Sequence, residues 1–98
     1  MTAPHSHQPC GFTVPPGVLS EVVDGEAVLL HLESGRYFGL NPTGTRMWQL
    51  LSESASAPRI ISVVATEFGV DEETVARDLS ALVNELTRRG LLVPDEPK

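Results

Sequence analysis

Asp24-Gly25 stands between two short runs rich in Val and Leu, residues 18–23 and 27–32. A two-residue turn that matches the twist of its flanking strands needs positive φ at both positions, and Asp-Gly accepts it. This dipeptide commits the first half of the chain to an antiparallel hairpin. Side chains alternate along a strand, so Val28, Leu30 and Leu32 share one face of the second run, and Ala27, Leu29 and His31 share the other. A second turn at Glu33-Ser34-Gly35-Arg36 returns the chain into a third strand, Tyr37-Phe38-Gly39-Leu40. A three-stranded antiparallel meander is expected.

After Leu40 the apolar period changes from 2 to 3.6. Asn41 is a capping residue, and Pro42 occupies the first helical position, where a missing N–H costs nothing. Met47, Trp48, Leu50 and Leu51 give this helix its apolar side, and residues 52–56 read as a connection. A second helix begins near Pro58, carries Ile60, Ile61, Val64 and Phe68, and ends at Gly69. Asp71 caps a third helix, with Val70 and Val75 placed as a hydrophobic staple. Glu72 and Glu73 in its first turn, and Arg88 and Arg89 in its last, suit the helix dipole. Val75, Leu79, Leu82 and Leu86 form its main stripe, and Gly90 ends it. Leu91-Leu92-Val93 reads as a short extended piece that tucks back. The expected fold is α+β, a three-stranded meander followed by three helices, winged-helix-like in arrangement. Residues 1–17, with four prolines among small polar residues, read as a flexible tail. Residues 18–93 form the domain and 94–98 a frayed end.

Function classes narrow by exclusion. At 98 residues the chain has room for one domain and no large cleft. Thirteen acidic against seven basic residues give a net charge of −6, which disfavours a nucleic-acid partner. The single cysteine, Cys10, forms no disulfide framework and fits a reducing compartment. No apolar run reaches the ~18 residues of a membrane span, and the N-terminus lacks signal-peptide character. A soluble cytoplasmic protein is expected.

Catalytic patterns are missing. His5, His7 and Cys10 lie close in sequence but lack a fixed fourth ligand, so the tail is read as solvated and no metal is expected. Glu73 and Arg77 read as a solvated i,i+4 pair. There is no GxGxxG or P-loop, and nothing beside Cys10 would activate its thiol. No enzyme activity and no cofactor are expected, which leaves a binding module. Two kinds compete. The corner Phe68-Gly69-Val70-Asp71 suggests a DNA-binding helix-turn-helix, but residues 71–82 carry four carboxylates against Arg77 alone, a poor match for phosphates. The other kind is a peptide-binding module, in which an open third strand beside an amphipathic helix accepts an extended peptide. That strand has neither Pro nor Lys to blunt it.

The stretch Leu32-Glu33-Ser34-Gly35-Arg36-Tyr37-Phe38-Gly39-Leu40-Asn41-Pro42-Thr43-Gly44, followed by Met47-Trp48-Gln49-Leu50-Leu51, resembles the PqqD-like family of RiPP recognition elements. Phe68-Gly69-Val70, Val75, Asp78-Leu79, Leu82, Leu86 and Gly90-Leu91-Leu92 extend the resemblance over residues 18–93. Such proteins bind leader peptides of ribosomally made, modified peptides as an added strand in a groove walled by the third helix. The resemblance implies backbone partners at Arg36, Tyr37, Phe38, Gly39 and Leu40, and an opposing wall from Val75, Asp78, Leu79 and Leu82. Trp48 is expected in the core. Within the family, the strand is most similar to the leader-binding subunit of lasso peptide biosynthesis, which implies a separate leader peptidase and a macrocyclase as partners. A PQQ-pathway peptide chaperone serving a radical enzyme is the alternative. The open edge admits a monomer or a strand-paired homodimer.

Overall fold

The computed structural model describes residues 12–94. Its elements run β1 (Phe12–Thr13), β2 (Val18–Val23), β3 (Glu26–His31), β4 (Arg36–Gly39), α1 (Pro42–Ser52), α2 (Ala57–Phe68), α3 (Glu72–Arg88) and β5 (Val93–Pro94). The meander is antiparallel, in the order β2-β3-β4. Asp24 and Gly25 take φ of 54° and 79°, so the two-residue turn forms as expected. It pairs Val23 with Glu26, which starts β3 one residue earlier than the apolar pattern suggests. Ala27 and Leu29 are fully buried on the inner face, against the helices.

The third strand ends at Gly39, not Leu40, and the reason is a side chain. The Leu40 N–H still donates to the Ala27 carbonyl at 2.8 Å. The return bond goes elsewhere: the Ala27 N–H donates to Thr45 Oγ1 at 2.7 Å, and that hydroxyl donates to the Leu40 carbonyl at 3.4 Å. Thr45, 4% exposed, is thereby spliced into the last rung of the ladder and fastens α1 to the sheet.

Local chemistry sets the helix ends. Asn41 caps α1, its side chain accepting from the Gly44 N–H at 2.8 Å. Ser56 caps α2, so that helix starts at Ala57, and Gly69 closes it with φ of 67°. Asp71 caps α3, accepting from the Thr74 N–H at 3.1 Å and the Thr74 hydroxyl at 2.8 Å. These bonds hold the Asp71 carboxyl below the usual carboxylate range. A group with a lowered folded pKa adds stability above its unfolded value, and that contribution is lost as pH falls through the folded one. Asp71→Asn keeps a cap without the charge. It is expected to flatten the fall of the Tm on acidification below the ordinary carboxylate range of about pH 4, as circular-dichroism melts would show.

The core gathers Leu29, Leu40, Met47, Trp48, Leu50, Ile60, Val64, Val75, Leu79 and Leu86. Past α3, the Leu91 N–H returns to the Leu86 carbonyl at 2.9 Å, and Leu91 and Leu92 are buried. The chain then meets a segment assigned by sequence to the tail. Phe12 pairs with Pro94 and Thr13 with Val93, forming a second, two-stranded sheet. The expected tail is therefore revised at residues 12 and 13, and the extended piece continues through Pro94. His5, His7 and Cys10 lie outside the described residues.

Candidate functional site

Among the described residues β4 has only one neighbour, so its other side is a sheet edge. Antiparallel pairs alternate between hydrogen-bonded and non-bonded rungs. The Leu40–Ala27 bond fixes the phase. With Leu29 opposite Phe38 and His31 opposite Arg36, residues 36, 38 and 40 turn their backbone groups inward. Tyr37 and Gly39 turn theirs outward. The free edge thus presents two N–H donors and two carbonyl acceptors.

Side chains alternate the other way. Those of Arg36, Phe38 and Leu40 share the face that carries Ala27 and Leu29, toward the helices. That of Tyr37, 70% exposed, lies on the outer face. Gly39 has no atom within 4 Å of the position a Cβ would take. The outer face of the sheet is therefore uncrowded there.

Two cavities lie along this edge and meet at Phe38. The first, about 380 Å³, is bounded by Phe38, Gly39 and Leu40 on the strand and by Asp78 and Leu82 on α3. Asn41, Thr43, Gly44 and Met47 close its end at the start of α1. The second, about 300 Å³, is bounded by Arg36, Tyr37 and Phe38 on the strand and by Arg88, Arg89 and Leu91 opposite. His31 and Ser34 form its floor at the preceding turn. Together they make one groove between β4 and α3.

The ends of the groove differ in charge. Asp78 borders the first cavity. Three guanidiniums, Arg36, Arg88 and Arg89, border the second. Glu85 holds two of them, receiving Arg89 Nε at 2.5 Å and Arg88 at 3.2 Å. The Arg89 hydrogen bond, reinforced by both positive charges, keeps the Glu85 carboxyl below the usual range. Arg89 also lies 4.9 Å over the Phe38 ring, a cation–π distance. Ser34 braces the turn beneath, its hydroxyl 2.9 Å from His31 Nδ1 and accepting from the Arg36 N–H at 3.3 Å.

Of the residues expected at a binding groove, Arg36, Tyr37, Phe38, Gly39, Leu40, Asp78 and Leu82 border these cavities. Val75 and Leu79 do not. They are 1% and 5% exposed and belong to the core. Leu79→Asp would therefore place a carboxylate in the core and probe folding, not binding. Arg88 and Arg89 also border the groove, which the sequence conceals because the helix dipole already accounts for them. Asn41, Thr43, Gly44 and Met47 border it as well, and all four lie in the motif stretch. Among the described residues no cluster of three or more His, Cys, Asp or Glu is placed to hold a metal. No helix there is long and apolar enough to cross a membrane.

The family described as "Coenzyme PQQ synthesis protein D (PqqD)" matches residues 26–92. The structure of TbiB1 in complex with the TbiA(beta) leader peptide superposes with a TM-score of 0.75 at 40% identity, covering 82% of this chain and 93% of that one. A lasso peptide synthetase B1 complexed with the leader peptide superposes with a TM-score of 0.79 at 29% identity, covering 87% and 100%. No match is found among curated protein sequences.

Proposed function

The chain belongs to the PqqD family, and from that premise we propose that it binds the leader segment of a ribosomally made precursor peptide. The leader adds to β4 as a fourth strand. The carrying observation is the free edge at Tyr37 and Gly39 beside a groove roofed by α3. The two similar structures, each a leader-peptide complex, support the same reading.

The energetics are adequate for a small domain. Four outward backbone groups allow up to four ladder bonds, each contributing about 0.5–1.5 kcal/mol net. An apolar leader side chain entering the cavity between Leu40, Met47 and Leu82 contributes roughly 1.5–3 kcal/mol when fully buried. Ordering the leader offsets part of this, so affinities between nanomolar and micromolar are expected. Residues 18–93 act as the binding domain. The protein works without chemistry of its own: it holds the leader and raises the effective concentration of the rest of the precursor at its partners. Those partners are a leader peptidase and a macrocyclase of lasso peptide biosynthesis, as the similarity to the lasso proteins suggests.

The DNA-binding reading draws no support from the surface of α3, whose N-terminal half exposes Asp71, Glu72, Glu73 and Asp78. Titrating the full chain with a fluorescently labelled leader, taken from the precursor gene beside its own, tests the proposal. Saturable binding below about 10 μM is expected; no binding at tens of micromolar would exclude it.

A further inference from the structure

The charged end of the groove is unusual for this chain. The whole protein has a formal net charge of −6 and only seven Lys and Arg residues. Arg36, Arg88 and Arg89, three of the seven, border one 300 Å³ cavity. Glu85 is bonded to Arg88 and Arg89. Arg36 makes no ion pair among the described residues. The cavity therefore carries a surplus of guanidinium donors over carboxylates. Guanidinium forks match carboxylates in charge and geometry.

Resting on the leader-binding reading, we propose that this cavity is a carboxylate subsite, and that it selects precursors with an Asp or Glu at one fixed position of the added strand. The position follows from strand geometry. The basic cavity is bordered by residues 36–38 of the chain and the apolar one by residues 38–40. Their centres are thus offset by about two residues of strand, roughly 6.6 Å. Two residues is also the repeat at which side chains of an extended peptide return to the same face. An acidic side chain in the basic cavity therefore sits two positions from an apolar side chain in the cavity lined by Leu40, Met47 and Leu82. The cation–π contact between Arg89 and Phe38 fixes the wall between the two subsites. Apolar burial alone would tolerate many sequences; the acid adds a second requirement at a set distance.

Random twelve-residue peptides displayed on phage, fused through their C-termini so that only side chains supply a carboxylate in the variable region, test this on the immobilised full chain. Enriched peptides should carry Asp or Glu two positions from Leu, Ile, Val, Met or Phe. Selection on the double variant Arg36→Gln/Arg88→Gln should lose the acid and keep the apolar residue. In solution, replacing the selected Glu by Gln should weaken binding about tenfold to the wild type and leave binding to the double variant nearly unchanged. Enrichment of the apolar residue without the acid, or an acid that survives in the double variant, overturns the subsite while leaving leader binding intact. Enrichment of no peptide at all overturns both. Arg36 and Arg88 are exposed, and circular dichroism of the double variant checks that its fold is kept.

Discussion

Gly39→Pro should lower leader affinity about 10- to 100-fold while leaving the fold in place. The phase of the ladder decides this. Gly39 faces Val28 across a non-bonded rung, so its N–H points away from β3 and toward the added strand. Proline at this position removes no bond within the sheet, and edge strands tolerate proline where the lost donor faced outward. No neighbour crowds the Cβ position. The preceding residue, Phe38, is already extended within β4, as a residue before proline prefers. What is lost is one of the two donors offered to the leader, and the ring stands where the leader backbone would approach. Fluorescence polarisation with the leader, alongside a thermal melt, reads both consequences. Undiminished affinity would show that the leader does not use this edge. Size-exclusion chromatography of the same variant separates a further consequence: if the free protein pairs edge to edge with a second copy, the variant should elute as a monomer.

The parts of the fold written locally are legible in the sequence. Asp24-Gly25 specifies its turn through backbone conformation alone, Asn41-Pro42 and Asp71 specify helix starts through capping, and Gly69 specifies a stop through positive φ. None of these needs a distant partner. The β1–β5 pair does: two residues on each strand, 80 and 82 positions apart, show no period, so the sequence reads Phe12 and Thr13 as tail, and of their partners marks Val93 as extended but leaves Pro94 in the frayed end. The groove is intermediate. The apolar stripe of α3 was visible as a face, but a stripe does not reveal depth. Val75 and Leu79 are buried in the core, while Leu82, on the same stripe, is half-buried and reaches the cavity. Arg88 and Arg89 had a sufficient local explanation in the helix dipole. Only the return of the chain alongside β4 brings them opposite Arg36 and Phe38.

Thr45 is the most instructive of the residues that the pattern concealed, and it carries the largest stability prediction. In sequence it is one more polar residue in the first turn of a helix. In the fold its hydroxyl stands in for a backbone carbonyl, receiving the Ala27 N–H at 2.7 Å where the meander loses its last rung. Ala27 is fully buried, so water cannot replace that acceptor. Thr45→Val is nearly equal in volume but offers no acceptor, and it leaves the Ala27 N–H unsatisfied. The cost should be about 1–3 kcal/mol, and each kcal/mol corresponds to roughly 4–8 °C of Tm in a domain of this size. Thr45→Ser, which keeps the hydroxyl and loses one methyl, should cost clearly less. Equal losses in the two variants would mean that packing, not the hydrogen bond, is what Thr45 supplies. The effect should also reach the groove, because the same hydroxyl holds the Leu40 carbonyl and Leu40 lines the apolar cavity. Thr45→Val is therefore expected to weaken leader binding several-fold even at temperatures where the variant is fully folded, while Thr45→Ser binds as the wild type does.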